Sequence, residues 1–345
     1  MALYYPRPNT TGWTVKNIPV GGGALNLNNS TDYVLVAPTS GGQLVPITGY
    51  VDINGGRNIC WIGGIIGGRT SVPNLTTNYD KSNKGIRIMD GADVRSIYLE
   101  GIWYKPGTYL SDALQTAIRS NNGVSLTVQN FRVDAYTYGN KGTPGFHSDQ
   151  IQCYGGPLNF KLNGWTGKHV TYQGFYLDPG DGRSLPTGSG KVPWEFRNVN
   201  LEGDSSLGGA RYLYANREPS WTGATVTNFY INGSIYNNKD SFGNAPSNMI
   251  VGTTTDFVPA SLWAGNVYDE TGAGGGGTPG TGTYNISASD SITISQTSVT
   301  GIGGSLLFKS STDSLRLNVA DSSALNTGSG ASSGSVSVST QLWPH

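Results

Sequence analysis

The segment Phe196-Arg197-Asn198-Val199-Asn200-Leu201 decides the fold, because its arrangement recurs along much of the chain. An asparagine or glycine stands at its centre, with one apolar residue two positions before it and another directly after it. A straight strand alternates its faces with a period of two, so these two apolar residues could not share a face. A bend at the central position restores the alignment, and asparagine and glycine tolerate the left-handed backbone that it needs. The segment therefore predicts two short strands joined at a corner.

Six copies of this arrangement occur, and each has glycine or asparagine at its centre. The central residues are Gly64, Gly101, Asn130, Gly174, Asn198 and Asn228. Stacked copies would bury one continuous apolar interior, with corner asparagines hydrogen-bonded from one copy to the next. The prediction is an all-β fold, a right-handed parallel β-helix or β-solenoid. The alternative is a β-sandwich or jelly roll, whose turns would share no such corner.

Changes in composition and periodicity divide the chain into four parts. Residues 1–23 are interpreted as an N-terminal cap or attachment segment, and residues 24–270 as the β-helix. Residues 271–283 form a glycine-rich linker, and residues 284–345 a small C-terminal β module for oligomerisation or docking. Within the β-helix, Tyr109–Ser120 has apolar residues at helical spacing and predicts one short helix packed on its side.

The overall composition argues against several classes of protein. The chain has 345 residues, with 51 glycines, 13% charged residues and 22 Lys+Arg against 22 Asp+Glu. This balanced charge gives no support to a nucleic-acid partner. No apolar run has the length of a membrane span, and the first residues lack the pattern of a signal peptide. Cys60 and Cys153 lack zinc-site spacing and are predicted to be buried free thiols, as expected of a protein folded in a reducing cytosol.

The densest group of candidate side chains lies in the segment from Gly145 to Gly156. The candidate catalytic residues are Asp149, His147, Asp134, Lys168 and Arg197, with His169 as a further base. A hydrolase would need two carboxyl groups roughly 5–9.5 Å apart, and a lyase would need a base that is neutral near its working pH. The structural alternative is that His147 and Asp149 hydrogen-bond each other and nearby loop amides. We expect no metal site and no cofactor.

Amide and aromatic side chains of the same region suit a sugar ligand. The candidate glycan-binding residues are Gln150, Gln152, Tyr154, Trp165, Tyr172 and Tyr176. Three of them, Trp165, Tyr172 and Tyr176, belong to a larger aromatic set that includes Tyr109, Tyr136 and Tyr138. Aromatic faces stack on sugar rings, so an exposed row of them would favour glycan binding. The alternative is that these rings pack in the interior.

The corner pattern and the motif His147-Ser148-Asp149-Gln150-Ile151-Gln152 together resemble the pectate-lyase-like right-handed β-helix superfamily, over roughly residues 24–265. This superfamily includes tailspike and fibre proteins of bacteriophages. Members that cleave polysaccharides by elimination have acidic calcium ligands and a basic residue, whereas hydrolytic members have two or three aspartates at defined spacing. Neither set stands out clearly in this sequence, in which Asp149 and Asp134 are the best candidate carboxylates. The resemblance therefore implies the fold more strongly than an enzymatic activity.

The resemblance implies a virion surface protein of the tailspike or receptor-binding fibre type. Such a protein would be made in the host cytoplasm, form a homotrimer, contact other virion proteins and recognise a host surface polysaccharide. One alternative is a polysaccharide lyase or glycosidase acting on a polymeric glycan. A second alternative is a purely structural capsid or tail decoration protein.

Overall fold

The structure is a computed structural model, and it describes residues 3–41, 43–67, 70, 85–89, 95–118, 124–138, 148–180, 193–205, 212–219, 221–236, 243–258, 305–309, 314–318 and 339–341. All of the secondary-structure elements in these residues are β-strands, so the fold is all-β. The chain divides into two compact units, Met1–Gly277 and Thr278–His345.

The strands of the first unit are β1 (Thr14–Asn17), β2 (Gly23–Leu27), β3 (Tyr33–Val36), β4 (Thr39–Ser40), β5 (Gln43–Leu44), β6 (Val51–Gly55), β7 (Asn58–Ile66), β8 (Ile86–Met89), β9 (Ser96–Tyr104), β10 (Tyr109–Leu110), β11 (Asp112–Ala117), β12 (Ser125–Val133), β13 (Tyr136–Thr137), β14 (Asp149–Tyr154), β15 (Asn159–Val170), β16 (Gln173–Asp178), β17 (Trp194–Gly203), β18 (Tyr212–Asn216), β19 (Thr225–Asn232), β20 (Ile235–Tyr236) and β21 (Ile250–Val251). Those of the second unit are β22 (Ser305–Lys309), β23 (Ser314–Asn318) and β24 (Ser339–Gln341), which form an antiparallel sheet in that order.

Two long sheets build the first unit, and the chain alternates between them. Sheet A has the order β1-β3-β7-β9-β12-β15-β17-β19-β21, with β10 and β13 paired beside β15. Sheet B has the order β2-β6-β8-β11-β14-β16-β18-β20. All strand pairs within both sheets are parallel. We call one sheet A strand, the following sheet B strand and their connections a rung. Stacked parallel rungs are consistent with a β-helix.

The corners of sheet A are confirmed at four of the six predicted positions. The left-handed residues there are Gly101 (φ 69°), Asn130 (φ 53°), Asn198 (φ 52°) and Asn228 (φ 52°). The strand register places these residues in one row across β9, β12, β17 and β19. Asparagines also bond from rung to rung. Asn198 Nδ2 donates to Asn163 Oδ1 at 2.8 Å, and Asn228 Nδ2 donates to Asn198 Oδ1 at 2.9 Å.

The two other predicted corners are wrong. In β7 the left-handed residue is Gly63, with φ of 73°, rather than its neighbour Gly64. At the corner of β15 it is Gly164, with φ of 78°, whereas Gly174 lies in β16 of the other sheet. A Cβ atom at position 174 would collide with the backbone of Leu213 on the next strand. Glycine is needed there for close packing and not for a bend.

The predicted side helix is also wrong. The segment forms β10 and β11 instead, and β11 pairs in parallel with β8 and β14. Five of the six residues of β11 are buried. Almost every position of this strand is buried, so its apolar residues do not alternate and can match helical spacing by chance.

The core is one hydrophobic cluster with members from both sheets. Aromatic rings fill its centre, and Phe131 of β12 stacks on Trp165 of β15 with ring centroids 5.3 Å apart. Phe175 of β16 packs edge-on against Trp165 at 5.6 Å and against Phe196 of β17 at 5.7 Å. Burying such large rings accounts for much of the stability of the stack.

Candidate functional site

The N-strap, residues 4–7, crosses the outer face of sheet A. Gln129 is fully buried beneath it, and its Oε1 accepts hydrogen bonds from two N–H groups of the strap at 3.0 and 2.9 Å. Its Nε2 donates to the carbonyl of Tyr5 at 2.9 Å. Arg7 donates to both carboxylate oxygens of Glu100, at 2.8 and 2.7 Å. Polar side chains on this face therefore hold a segment of the same chain.

Arg197, a candidate catalytic base, belongs to this covered face. Its guanidinium donates to the carboxylate of Glu195 and lies 4.4 Å from the ring centroid of Tyr4 in the N-strap. Lys161 lies 5.5 Å from the ring centroid of Tyr5 in a similar contact. Cations placed over aromatic faces stabilise such contacts. The geometry thus gives Arg197 a role in holding the N-strap.

The C-strap, residues 255–258, crosses sheet A as well. The Oδ1 atom of Asn200 accepts a hydrogen bond from the N–H of Thr255 at 2.7 Å. The Oγ1 atom of Thr166 accepts one from the N–H of Val258 at 2.9 Å. Both acceptors are almost fully buried. They satisfy strap N–H groups that would otherwise be buried without a partner.

An ion-pair network centred on Arg132 also binds the C-strap. Arg132 donates from Nε to Asp134 Oδ2 at 2.6 Å and from Nη1 to both oxygens of Asp256 at 2.8 and 2.9 Å. Trp103 Nε1 donates to Asp134 Oδ2 at 2.8 Å, and Lys168 Nζ lies 3.4 Å from Asp256 Oδ2. The candidate catalytic residues Asp134 and Lys168 are therefore both members of a network that holds the strap.

This network lowers the pKa of the Asp256 carboxyl group. Its partial burial acts to raise its pKa, but the hydrogen bond and charge of Arg132 and the charge of Lys168 outweigh that effect. The pKa of Asp256 consequently lies below its ordinary value. The ionised carboxylate is the form that holds the C-strap in place.

A row of half-buried aromatic rings lies where the sheet A strands lead towards sheet B. The rings of Tyr109 and Tyr136 stack with centroids 5.2 Å apart, and the His169 ring lies 4.5 Å from that of Tyr136. Tyr138 packs edge-on against Tyr109 at 6.1 Å. His169 Nδ1 lies 2.8 Å from Asp204 Oδ2. We call these five residues the aromatic ledge.

The ledge extends along the stacking direction. Tyr109 is paired in register with Tyr136, and the pairing of Thr137 with Val170 places His169 on the following rung. The three rings therefore come from three successive rungs. The side chain of His169 is 38% exposed and that of Asp204 is 18% exposed. The ledge thus offers rigid groups with apolar bodies and polar edges to an approaching ligand.

Asp149 occupies a different environment from the ledge. It is fully buried at the start of β14, in register with Asp112 of β11 and Gln173 of β16. Its backbone N–H donates to Asp112 Oδ1 at 3.2 Å. A carboxyl group with no exposed surface cannot reach a polymer in this conformation. His147, the other candidate of the same motif, lies outside the described residues.

Three candidate glycan-binding residues lie inside the protein. Trp165 and Gln150 are fully buried, and Gln150 Oε1 accepts a hydrogen bond from Trp165 Nε1 at 2.7 Å. Tyr172 is only 3% exposed. The expectation that these side chains contact a glycan is therefore corrected: Trp165 is a core ring, and neither Gln150 nor Tyr172 has enough exposed surface to contact one.

The other three candidates lie together on sheet B. Gln152 Nε2 donates to the hydroxyl of Tyr154, and its Oε1 accepts from Gln115 Nε2 at 3.3 Å. The hydroxyl of Tyr176 accepts from Arg217 Nε at 3.0 Å. Gln152 is only 3% exposed. The structure thus brings these residues into one polar row, but the amide of Gln152 is already occupied by its neighbours.

Both cysteines are free and buried, as the sequence predicts. Burial is the main cause that raises the pKa of Cys60 and that of Cys153, each to about 12. Burial therefore disfavours the thiolate, which is the reactive form, at neutral pH. Neither thiol is placed to serve as a nucleophile.

The sequence pointed to the ledge only in part. Tyr109, Tyr136 and Tyr138 belonged to a large aromatic set, and His169 was one of several bases. Asp204 was missed altogether. The number of residues between each ledge residue and the corner that precedes it varies. No single spacing in the sequence therefore indicates that the ledge residues meet. Only the strand register brings them together.

Further observations bear on cofactors, membranes and relatives. In the part of the chain that the structure describes, no group of three or more His, Cys, Asp or Glu side chains could hold a metal ion. No helix suited by length and apolar character to crossing a membrane occurs among those residues. The chain matches no family model, no curated protein and no solved structure. Function must therefore be argued from geometry.

Proposed function

We propose that this protein binds a polymeric glycan through the aromatic ledge. We further propose that it does so as a surface protein of a bacteriophage particle, of the tailspike or receptor-binding fibre type. The fold would be a right-handed parallel β-helix of the pectate-lyase-like kind. Its ligand would be a host surface polysaccharide.

The observation that carries glycan binding is the half-buried stack of Tyr109, Tyr136 and His169 beside Asp204. Tyrosine supplies a large rigid contact with a polar tip at low cost in side-chain entropy. Three rungs in succession repeat such a group along one line. Repeating amphipathic groups suit a ligand that itself repeats, with apolar ring faces and many hydroxyl groups.

Binding is favoured over cleavage by the surroundings of the candidate catalytic residues. Asp134, Lys168 and Arg197 are engaged in ion pairs beside the two straps. Asp149 is fully buried. A general acid or base must come within hydrogen-bond reach of the scissile group. None of these four side chains stands free on the ledge.

Placement on a particle is supported by less direct features. Free buried thiols suit folding in a reducing host cytoplasm. A stack of parallel rungs suits a rigid surface element, and such stacks can unfold slowly. Assembly as a homotrimer on other virion proteins would multiply a modest affinity for a repeating ligand through effective concentration.

The test is binding of the full chain to purified bacterial capsular polysaccharides, lipopolysaccharide O-chains and dextran. We expect at least one polymer to bind the wild-type protein. The variant Tyr136→Ala should bind it at least about tenfold more weakly, because the central ring of the ledge is lost. Tyr4→Ala removes a tyrosine that is 53% exposed outside the ledge, and it should bind normally.

Three results would contradict the proposal in different ways. Equal loss in both variants, or none in either, would contradict the assignment of the ledge. Absence of binding across a broad panel would contradict glycan recognition. New reducing ends or unsaturated uronates would favour the alternative of a lyase or glycosidase. Light scattering of the same sample would test the homotrimer.

A further inference from the structure

His169 stands on the ledge because strand β15 contains a bulge. The pairing of β15 with β17 shifts register between Gly167 and Val170. Within this bulge His169 has a left-handed backbone, with φ of 54°. Histidine adopts this conformation more readily than most residues, but it remains uncommon. Bulges often redirect a side chain next to a functional site, and here the bulge sets the ring of His169 against that of Tyr136.

Gln150 supports this bulge from inside the protein. Its Nε2 donates to the carbonyl of Lys168 at 3.1 Å, while its Oε1 accepts from Trp165 Nε1 at 2.7 Å. A Cβ atom at position 167 would collide with the Gln150 amide. Gly167 is therefore required for the amide to reach the bulge. Gln150 is too deeply buried to contact a glycan, but it is positioned to fix His169, which is exposed enough to do so.

The hydrogen bond to Asp204 determines which nitrogen of His169 carries a proton. An ionised carboxylate can only accept hydrogen bonds, so the Nδ1 atom at 2.8 Å from Asp204 Oδ2 must be the donor. In the neutral imidazole the remaining nitrogen, Nε2, is then an acceptor. Carboxylate partners commonly fix the tautomer and the ring orientation of histidine in this way.

We propose that His169 Nε2 is the specificity-determining acceptor of the ledge and that it takes a hydrogen bond from a free sugar hydroxyl. Asp204 and Gln150 act as positioning residues, the first through the tautomer and the second through the bulge. The preferred ligand is a glycan whose hydroxyl at this point is unmodified. Acetylation of that hydroxyl removes the donor and adds bulk beside the Tyr136 ring. This inference rests on the proposed function of the ledge.

The decisive variant is Asp204→Asn, which keeps the shape of the side chain. The asparagine amide has a donor as well as an acceptor, so Nδ1 is no longer held as a donor; when the amide nitrogen donates to Nδ1, the proton lies on Nε2 and the acceptor becomes a donor. Long-range proton–nitrogen spectra of the imidazole should show a proton on Nδ1 of His169 in the wild-type protein and on Nε2 in the variant. A wild-type imidazole that carries a proton on Nε2, whether alone or together with one on Nδ1, would overturn the proposal.

Binding is measured in parallel with a polymer that the wild-type protein retains, in its O-acetylated and de-O-acetylated forms. We expect the de-O-acetylated form to bind more tightly to the wild-type protein. Asp204→Asn should weaken that binding by about tenfold and abolish the preference, as expected for one lost hydrogen bond with reversed polarity. His169→Gln, which retains an acceptor, should recover part of the affinity relative to His169→Ala.

Gln150→Leu tests the support of the bulge without touching the ligand. It should weaken binding, and the imidazole of His169 should lose its fixed tautomer signature. A normal tautomer and normal affinity in this variant would overturn the role of Gln150. If Tyr136→Ala abolishes binding while Asp204→Asn has no effect, the inference about His169 fails and the proposed function stands. If Tyr136→Ala has no effect, the proposed function itself fails.

Discussion

The strapped face of sheet A and the aromatic ledge contain similar types of residue and use them differently. On the strapped face, Gln129, Glu100 and Arg132 are nearly or fully buried and bind segments of the same chain. On the ledge, Tyr136 and His169 remain partly exposed and contact one another. Polar residues on an outer strand face are therefore not evidence of a binding surface. What distinguishes the ledge is that its rings pack on one another while remaining partly exposed.

The largest expected effect that separates the two regions is that of Arg132→Met. This change leaves the buried carboxylate of Asp134 without its cation, and such losses cost about 3–5 kcal/mol. Tyr136→Ala on the ledge should cost less, about 1–3 kcal/mol, the scale of its two ring contacts with Tyr109 and His169. Urea unfolding followed by tryptophan fluorescence compares the two variants.

The double variant Arg132→Met with Asp134→Asn is the control for this comparison. It removes the charge that the single variant leaves buried, so it should recover part of the lost stability. Equal costs for Arg132→Met and Tyr136→Ala would show that the strapped face is not structural.

Gln129→Ala should have the next largest effect. It removes the acceptor of two N-strap N–H groups and the donor to the carbonyl of Tyr5. Leaving buried backbone groups unpaired costs about 1–3 kcal/mol. Limited proteolysis should then cut near Tyr5 much faster than in the wild-type protein. Unchanged protection of the N-strap would contradict its dependence on this amide.

A smaller effect is expected at the corner residue Asn198. Replacement by alanine or by glycine removes both asparagine hydrogen bonds of the ladder, but only alanine is strained at φ of 52°. Glycine loses more backbone entropy on folding, which offsets part of this difference. The Asn198→Ala variant should therefore be less stable than the Asn198→Gly variant by only about 1 kcal/mol. The same urea unfolding measurement applies. An alanine variant more stable than the glycine variant would argue against the left-handed corner.

The smallest expected effect is the response of the C-strap to acid. The pKa of Asp256 is lower in the folded protein than in the unfolded chain, so its ion pairs stabilise the strap above the ordinary aspartate range. This contribution is lost as the pH falls through the lowered value. Because the side chain is 41% exposed, the effect should stay below about 1 kcal/mol.

Hydrogen exchange of residues 255–258 measures this acid response. Exchange rates, corrected for their intrinsic pH dependence, should rise between pH 6 and pH 3 in the wild-type protein. Asp256→Asn should exchange faster at pH 6 and show a weaker response. Identical dependence of exchange on pH in the two proteins would show that Asp256 does not stabilise the C-strap.

The sequence predicted the stacked parallel strands because the corner has a local physical cause. An apolar residue on each side of Asn130 or Asn198 can face inward only if the backbone bends, and few residues permit that bend. At Gly174 the pattern fails, because a glycine needed for close packing cannot be distinguished in a sequence from one needed for a bend. The segment 109–120 has helical spacing because a strand buried on both faces has no period of two.

The straps and the ledge could not be predicted in the same way. Tyr5 and Gln129 are 124 positions apart, and nothing near either residue indicates that they meet. Asp204 reaches His169 only through the register of β15 and β17 and the bulge between them. Contacts of this kind depend on the accumulated register of many strands. The local sequence pattern therefore predicts the fold but not which residues meet at the candidate site.

The most direct test of the central claim is a hydrogen-exchange footprint of the wild-type protein with and without a polysaccharide that it binds. The ledge account predicts that added polymer slows exchange at residues 109–110, 136–138 and 168–170 and leaves the N-strap unchanged. Protection of the N-strap or of sheet B, with no change at these three segments, would contradict it.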